Sequence, residues 1–558
     1  MATFTFDGTA SQSVAFAPAA DLVVLDLNAA DLANVVQNPT SISFISVTGA
    51  VLTLEGVQFA DLAAANIIPG VGSDIEFSFG TPGATLTGNV LAGLAGDNVL
   101  LNSSDNGLLL GNQGNDTLNS DGFDNVRMYG GQNADVINFL SSATSADASL
   151  LVGGLGTDTI NVGYASVDGG GFAPDTAYAG NITVYGGNES NDPLDDSDVV
   201  NVFLADEGTA TIYGNGGDDV ITVVGTGTAD IFGGQGDDTV VAELNGGSVV
   251  GGLGSDTITV NTVATAESEN ASITVVGGNG TTDPADGADT ITVNFGAAGD
   301  TATVYGNGGN DTITFTGEVG VVQAFGGQGN DTITGSIGDG SQVIGGLGSD
   351  TINVSVVGTA ADGSPASATI WGGNGTTDPA DGIDTINVTI AEGNSATIYG
   401  NGGDDVITVT GDVDSIATVF GGQGNDTINV SGSGQYALTG GQGDDTFDFS
   451  GAAPVAGDAT ALSSVTDFTF GDDTIVFNGT GDVSSVVTIQ GGAASSAADI
   501  FALDNGGDGV VSLVTVGGTL AGTYAVFDGQ AINVTGFTGA IDAGSFQLNT
   551  LPTAEAFA

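Results

Sequence analysis

The residues best placed to do chemistry in this chain are aspartates that close glycine-rich turns. A nine-residue unit recurs as GNQGNDTLN from Gly111, GGLGTDTIN from Gly153, GNGGDDVIT from Gly214, GGQGDDTVV from Gly233 and GGLGSDTIT from Gly251. It continues as GNGGNDTIT from Gly306, GGQGNDTIT from Gly326, GGLGSDTIN from Gly345, GNGGDDVIT from Gly400, GGQGNDTIN from Gly421 and GGQGDDTFD from Gly440. A weaker copy, GGQNADVIN from Gly130, carries Asn133 where the fourth residue is otherwise glycine. Glycines at positions one, two and four permit positive φ, which turns successive carbonyls towards one point. The aspartate at position six adds a carboxylate at the end of that turn. Such oxygens are the ligands of hard cations such as Ca²⁺, which takes six to eight of them at about 2.3–2.6 Å. One loop supplies half a shell, and an equivalent loop stacked about 4.8 Å away would supply the rest. Binding and stacking would then be one event. An aspartate that merely caps its turn explains one such unit; it does not explain twelve in register.

The elements that must hold these loops are short strands. The T-I-T-V that follows each aspartate alternates inward Ile and Val with outward Thr. Unit starts fall 18 to 21 residues apart within each run; Gly214 to Gly233 is 19 and Gly233 to Gly251 is 18. Two nine-residue units make one turn of a β-roll, and only one unit per turn has the metal loop. The other half-turn reads VGTGTADIF or TGEVGVVQAF, a plain turn and a strand. The expected fold class is therefore all-β, a parallel β-roll or β-solenoid with its cation loops along one edge. Repeats of this length point to such stacked architectures.

A longer period overlies the first. Every fourth loop is expanded, as GGNGTTDPADGADTITV from Gly277 and GGNGTTDPADGIDTINV from Gly372, with GGNESNDPLDDSDVVNV from Gly186 as a divergent copy. Asp283, Asp286 and Asp289, then Asp378, Asp381 and Asp384, and Asp192, Asp195 and Asp198, recur at intervals of three. Insertions in phase are expected to protrude and to serve as a docking surface. The residue before each loop also follows the beat: Tyr213, Tyr305 and Tyr399, then Phe232, Phe325 and Phe420. These aromatics are expected to pack between turns, with a carbohydrate platform as the lesser reading.

Composition bounds the rest. Of 558 residues 96 are Gly; Asp plus Glu total 67, Lys plus Arg total 1 (Arg127), and His and Cys are absent, for a formal charge of −66. Ion pairing cannot neutralise this, so a compact form must tolerate the repulsion or bind cations. No basic patch can form, which excludes nucleic-acid binding. Without His there is neither an H-E-x-x-H site nor a Ser-His-Asp triad, and no G-x-S-x-G elbow occurs, so an enzyme is not expected. A hydrophobic fraction of 40% suffices for a continuous core. No apolar run reaches the ~18 residues of a transmembrane helix, and the start, MATFTFDGTASQSVAF, does not read as a Sec signal. Residues 1–90 read as a β-rich N-terminal domain (TFTF, SVAF, DLVVLDL, SISFISV, AVLTLEGV), with DLANVV as one helical turn. Residues 91–450 are the roll, and 451–558 a β-rich cap, with DFTFGDDTIVF, VVTIQGG, GVVSLVTV and GTYAVFDG as strands. Solenoids need such atypical ends to cover the core.

The units over about residues 92–450 resemble the RTX family, the hemolysin-type calcium-binding repeat proteins. That resemblance implies a right-handed parallel β-roll which folds outside the cell on meeting Ca²⁺. It also implies export by a type I secretion machinery through an uncleaved C-terminal signal, which SFQLNTLPTAEAFA could contain. The implied ligands are Asp116, Asp158, Asp219, Asp238, Asp256, Asp311, Asp331, Asp350, Asp405, Asp426 and Asp445, with Asp135 in the weaker copy. Asp198, Asp289 and Asp384 take the same place in the expanded loops. With no catalytic domain beside the roll, the chain is most similar to RTX-type bacterial surface-layer proteins. It is thus expected to be extracellular, at the cell surface, with other copies of itself as partners and anionic surface polysaccharide joined through Ca²⁺. A calcium-dependent adhesin or an ice- or ligand-binding roll is the alternative. The third loop position, Gln, Leu, Asn or Gly, lacks the Thr row an ice-binding edge would present.

Overall fold

The computed structural model describes residues 3–549 apart from short stretches, the longest being 26–31, 58–66, 70–76, 141–147, 189–194, 280–285, 375–380 and 454–461. It is 65% strand and 2% helix, so the chain is all-β. Two compact units, Met1–Thr274 and Val275–Ala558, divide it.

In the first unit the N-terminal segment forms two small sheets. Thr3–Phe6, Leu22–Leu25 and Ile67–Pro69 pair in parallel. Gln12–Ala15, Val51–Glu55, Ser41–Ser46 and Leu32–Asn38 form a mixed four-stranded sheet. The last of these corrects the reading of DLANVV as a helical turn. Its β-branched Val35 and Val36 favour a strand, and Ser41–Ser46 offers an antiparallel partner directly after a short connection. Phe6, Phe44, Leu52 and Leu54 pack with Val90, Leu108 and Leu110, so this segment covers the first turns of the roll.

The roll of the first unit has two parallel sheets, one strand from each turn in each sheet. Strands that lead into the loops include Leu108–Gln113, Arg127–Gln132, Ala148–Leu155, Asn181–Gly187, Thr209–Gly216, Thr228–Gln235 and Gly246–Leu253. Strands that leave them include Thr117–Asp121, Val136–Leu140, Thr159–Val162, Val199–Leu204, Val220–Gly225, Thr239–Leu244 and Thr257–Thr262. The register superposes the motif on itself. Ile137, Ile160, Val200, Ile221, Val240 and Ile258 are successive partners and all fully buried. Each such side chain contributes roughly 1.5–3 kcal/mol by leaving water.

The second unit repeats this plan. Ile291, Ile313, Ile333, Ile352, Ile386, Ile407, Ile428, Phe447 and Ile475 form one unbroken inner column. Beyond Ala452 the chain forms a cap of Thr474–Asn478, Ser485–Ala494, Val510–Gly518, Gly522–Phe527, Gln530–Val534 and Phe546–Asn549, with one short α-helix among the described residues, Ala497–Phe501. In both units the aromatics before the loops stack face to face on the outer side. Tyr213 and Phe232 lie 5.0 Å apart, Tyr305 and Phe325 4.9 Å, and Tyr399 and Phe420 4.9 Å, with planes within 10°. They pack between turns, as the alternation of strand residues requires.

Candidate metal centre

Each loop joins a strand of one sheet to a strand of the other, so the sixth-position aspartates line up on one edge. In the first unit the amides of Asp116, Asp135, Asp158, Asp198, Asp219 and Asp238 donate to the Oδ1 atoms of Asp135, Asp158, Asp198, Asp219, Asp238 and Asp256, at 2.7–2.8 Å. In the second unit the amides of Asp289, Asp311, Asp331, Asp350, Asp384, Asp405 and Asp426 donate to the Oδ1 atoms of Asp311, Asp331, Asp350, Asp384, Asp405, Asp426 and Asp445, at 2.7–2.9 Å. All fifteen aspartates singled out in the sequence, Asp135 of the weaker copy included, thus belong to one of two ladders and are at most 2% exposed.

The first ladder begins one step before the first consensus unit, and the second ends one step after the last. Asn98, sixth in GLAGDN from Gly93, donates its amide to Asp116 Oδ1 at 2.7 Å. Asp473, in FGDDTIV, accepts the amide of Asp445 at 3.0 Å. Both segments keep the shape of the unit with two consensus residues changed, Leu94 and Asn98 in one and Phe468 and Thr469 in the other, and the retained Gly96 and Gly471 at position four are their signal. A second, exposed ladder runs along position five, which the motif leaves unspecified. The amide of Asp237 donates to Asp218 Oδ1 at 2.9 Å and that of Ser255 to Asp237 Oδ1 at 2.8 Å. In the second unit Asn330, Ser349, Asn425 and Asp444 donate in the same way. Asn, Asp and Ser at that position are the side chains that suit such bonds.

The glycines do two jobs, and one differs from expectation. In the nine-residue loops positions two and four do take positive φ, +122° at both Gly154 and Gly156. Where position two is Asn, as at Asn215, Asn307 and Asn401, φ is 79–83°, a conformation Asn tolerates. Position one does not take positive φ; it is glycine because its side-chain space is occupied. A Cβ on Gly130 would lie 2.5 Å from Asp135 Oδ2 and 2.5 Å from the carbonyl oxygen of Gly153, one turn on. The same two oxygens, from the loop's own aspartate and the next loop's first glycine, crowd the equivalent point at Gly111, Gly153, Gly214, Gly233, Gly306, Gly326, Gly345, Gly400 and Gly421.

This arrangement fits a hard cation. The Oδ2 atoms of Asp116, Asp135, Asp158, Asp198, Asp219, Asp238, Asp311, Asp331, Asp350, Asp384, Asp405 and Asp426 are buried and accept no hydrogen bond. An unsatisfied buried carboxylate oxygen is costly, and here each one converges with a carbonyl oxygen on a single cradle. Among the described residues no three acidic side chains converge. A cation held here would therefore draw most of its oxygens from the backbone.

Electrostatics point the same way. Burial raises Asp135 and Asp198 to about 9, and Asp219, Asp238, Asp384 and Asp405 to about 8. It raises Asp158, Asp311, Asp350 and Asp426 to about 7, and Asp116, Asp331 and Asp445 to about 6. The amide bond that each accepts opposes the rise, and at most positions the charge of neighbouring carboxylates adds to it. A ladder without cations thus competes for protons at neutral pH.

No family model, no curated protein and no solved structure matches the chain. Among the described residues no helix is long and apolar enough to cross a membrane.

Proposed function

We propose that the chain is a secreted, calcium-binding structural protein of the RTX kind, which folds on Ca²⁺ outside the cell and assembles with copies of itself at the cell surface. The observation that carries this reading is the register of the two ladders. Twelve of the fifteen ladder aspartates bury one carboxylate oxygen without a hydrogen-bond donor and set it beside a carbonyl of the next turn. In a chain with one basic residue, only bound cations or protons can neutralise such a column. Ca²⁺ suits it because that ion accepts irregular shells of carboxylate and carbonyl oxygens, whereas Mg²⁺ demands a near-ideal octahedron and keeps its waters.

The same charge makes assembly depend on cations. Two copies with a formal charge of −66 each repel unless divalent ions screen or bridge them. Of the acids in the insertions expected to protrude, Asp192, Asp283 and Asp378 lie outside the described residues; Asp195 is buried, Asp286 and Asp381 are half-buried, and Asp196 is exposed. Negative-stain electron microscopy of purified full-length protein tests the reading. Sheets or filaments should form in millimolar CaCl₂ and disperse in EGTA. Monodisperse particles under both conditions would sink the assembly role while leaving calcium binding to be judged by folding.

A further inference from the structure

The expanded loops differ from the others in one position that the ladder does not use. Counting back from the ladder aspartate, Asp196, Gly287 and Gly382 occupy position four, and Asp195, Asp286 and Asp381 therefore occupy position three. The backbone agrees, since the Gly382 amide donates to the carbonyl of Gly348, the fourth residue of the preceding loop, at 2.9 Å. Elsewhere in this column the residue is Gln, Leu or Gly, as in Gln113, Gln132, Leu155, Gln235 and Leu347. The whole insertion lies between positions two and three, and the chain re-enters the register at an acid.

That acid is folded back onto the loop. A Cβ on Gly187, Gly278 or Gly373, the second glycine of each expanded loop, would overlap the Oδ2 of Asp195, Asp286 or Asp381. On the adjacent first glycine, Gly186, Gly277 or Gly372, a Cβ would overlap the Oδ2 of the ladder acid Asp198, Asp289 or Asp384. Two carboxylates from one loop therefore bracket one Gly-Gly pair.

The following turn is matched to receive it. The loop after each expanded one is GNGG, with glycine in column three at Gly216, Gly308 and Gly402. The amide of Gly308 donates to Asp286 Oδ2 and that of Gly402 to Asp381 Oδ2, both at 3.1 Å. The Asn of the same loop reaches across, Asn307 Nδ2 to the Gly278 carbonyl at 2.9 Å and Asn401 Nδ2 to the Gly373 carbonyl at 2.7 Å. The site is also demanding. The Oδ2 atoms of Asp311, Asp384 and Asp405 in the second unit, and of Asp198 and Asp219 in the first, accept no hydrogen bond, and each residue is at most 1% exposed. Asn215, 4% exposed and equivalent to Asn307 and Asn401, has neither amide atom hydrogen-bonded.

The geometry points to a separate class of divalent-cation site at the three expanded loops, with Asp195, Asp286 and Asp381 as additional ligands beside the ladder acids. An ordinary turn offers one carboxylate per interval, and an expanded one offers two, which balance the charge of one Ca²⁺. Carboxylate count and rigidity are what tune Ca²⁺ affinity. These sites fill first and seed the stacking of their neighbours, one seed in every four turns. The inference rests on the calcium reading above.

The test is calcium titration of full-length protein, stripped with chelator and desalted, by isothermal calorimetry and equilibrium dialysis. Wild type should show a minor tight class, one ion for each expanded loop, and a larger weak class. The triple variant Asp195→Asn, Asp286→Asn, Asp381→Asn should lose the tight class, its ions weakened at least tenfold. It should keep the weak class and the β-rich circular dichroism at saturating calcium. Asp381→Asn alone should remove one tight ion, a readout that stands even if the triple variant does not fold. A wild type with one uniform class, or variants whose isotherms superimpose on it, would reduce these acids to hydrogen-bond acceptors that pin the insertion. Absence of any calcium binding by wild type would instead overturn the parent reading.

Discussion

Asp219→Asn replaces a buried ladder carboxylate by an amide of the same shape, and its effect should change sign with calcium. Asp219 is 1% exposed, accepts the Asp198 amide at 2.8 Å through Oδ1, and leaves Oδ2 without a donor. Burial raises its pKa from 3.8 to about 8. The stability associated with a raised carboxyl is fully present below the unfolded pKa and lost as pH rises through the folded one. The metal-free roll therefore pays a penalty that starts near pH 4, grows by about 1.4 kcal/mol per pH unit and levels off near pH 8. At pH 7 the penalty from this residue has a ceiling of about 4 kcal/mol, and relaxation and water entry lower it to roughly 1–4 kcal/mol. The amide has no charge to bury. In EGTA, Asp219→Asn should thus shift the acid-induced gain of β signal to higher pH. In calcium the same change removes a ligand from the cradle and should raise the calcium midpoint for folding several-fold. Full-length wild type and variant, followed by far-UV circular dichroism against pH in EGTA and against calcium at pH 7, report both arms. Destabilisation of the same sign in both would refute the claim that Oδ2 is an unneutralised oxygen awaiting a cation.

Two further outcomes follow from the edge on which the loops lie. Asp331→Ala should remove one or two ions by native mass spectrometry, whereas Asp230→Ala should remove none, because Asp230 is exposed in a strand and accepts the amide and hydroxyl of Ser248; equal losses would refute a one-edged ladder. Gly326→Ala should destabilise the calcium form by about 3 kcal/mol, since its Cβ would overlap Asp331 Oδ2 and the Gly345 carbonyl. Gly340→Ala, at φ +76° with open space around it, should cost about 1 kcal/mol. Equal denaturant midpoints would show that position one is not a cradle.

The roll was legible because two independent periods agree. Alternation in TITV and TINV sets the inward column, and the 18–21 residue spacing of the loops stacks it, so Ile221, Val240 and Ile258 could be placed before any coordinates. The ladder aspartates were legible for the same reason. What escaped was whatever the consensus hides. Asn98 and Asp473 sit in units with two consensus residues changed, so the motif does not mark either end. The first glycine looks like the other two in sequence; only the packed turn shows that it yields space and not dihedral freedom. The fold-back of Asp195, Asp286 and Asp381 depends on where the insertion re-enters the register, which interval-of-three spacing does not reveal. DLANVV reads as a helical turn because a short segment of four apolar residues suits either a helix or a strand until its partner is known.

The central claim is that Ca²⁺ and the stacking of turns are one event, and far-UV circular dichroism of the full-length chain tests it most directly. With EGTA at pH 7.5, the unneutralised ladders should leave the chain without its β spectrum, and millimolar CaCl₂ should restore it cooperatively. A β-rich spectrum of equal strength in EGTA and in calcium would contradict the claim.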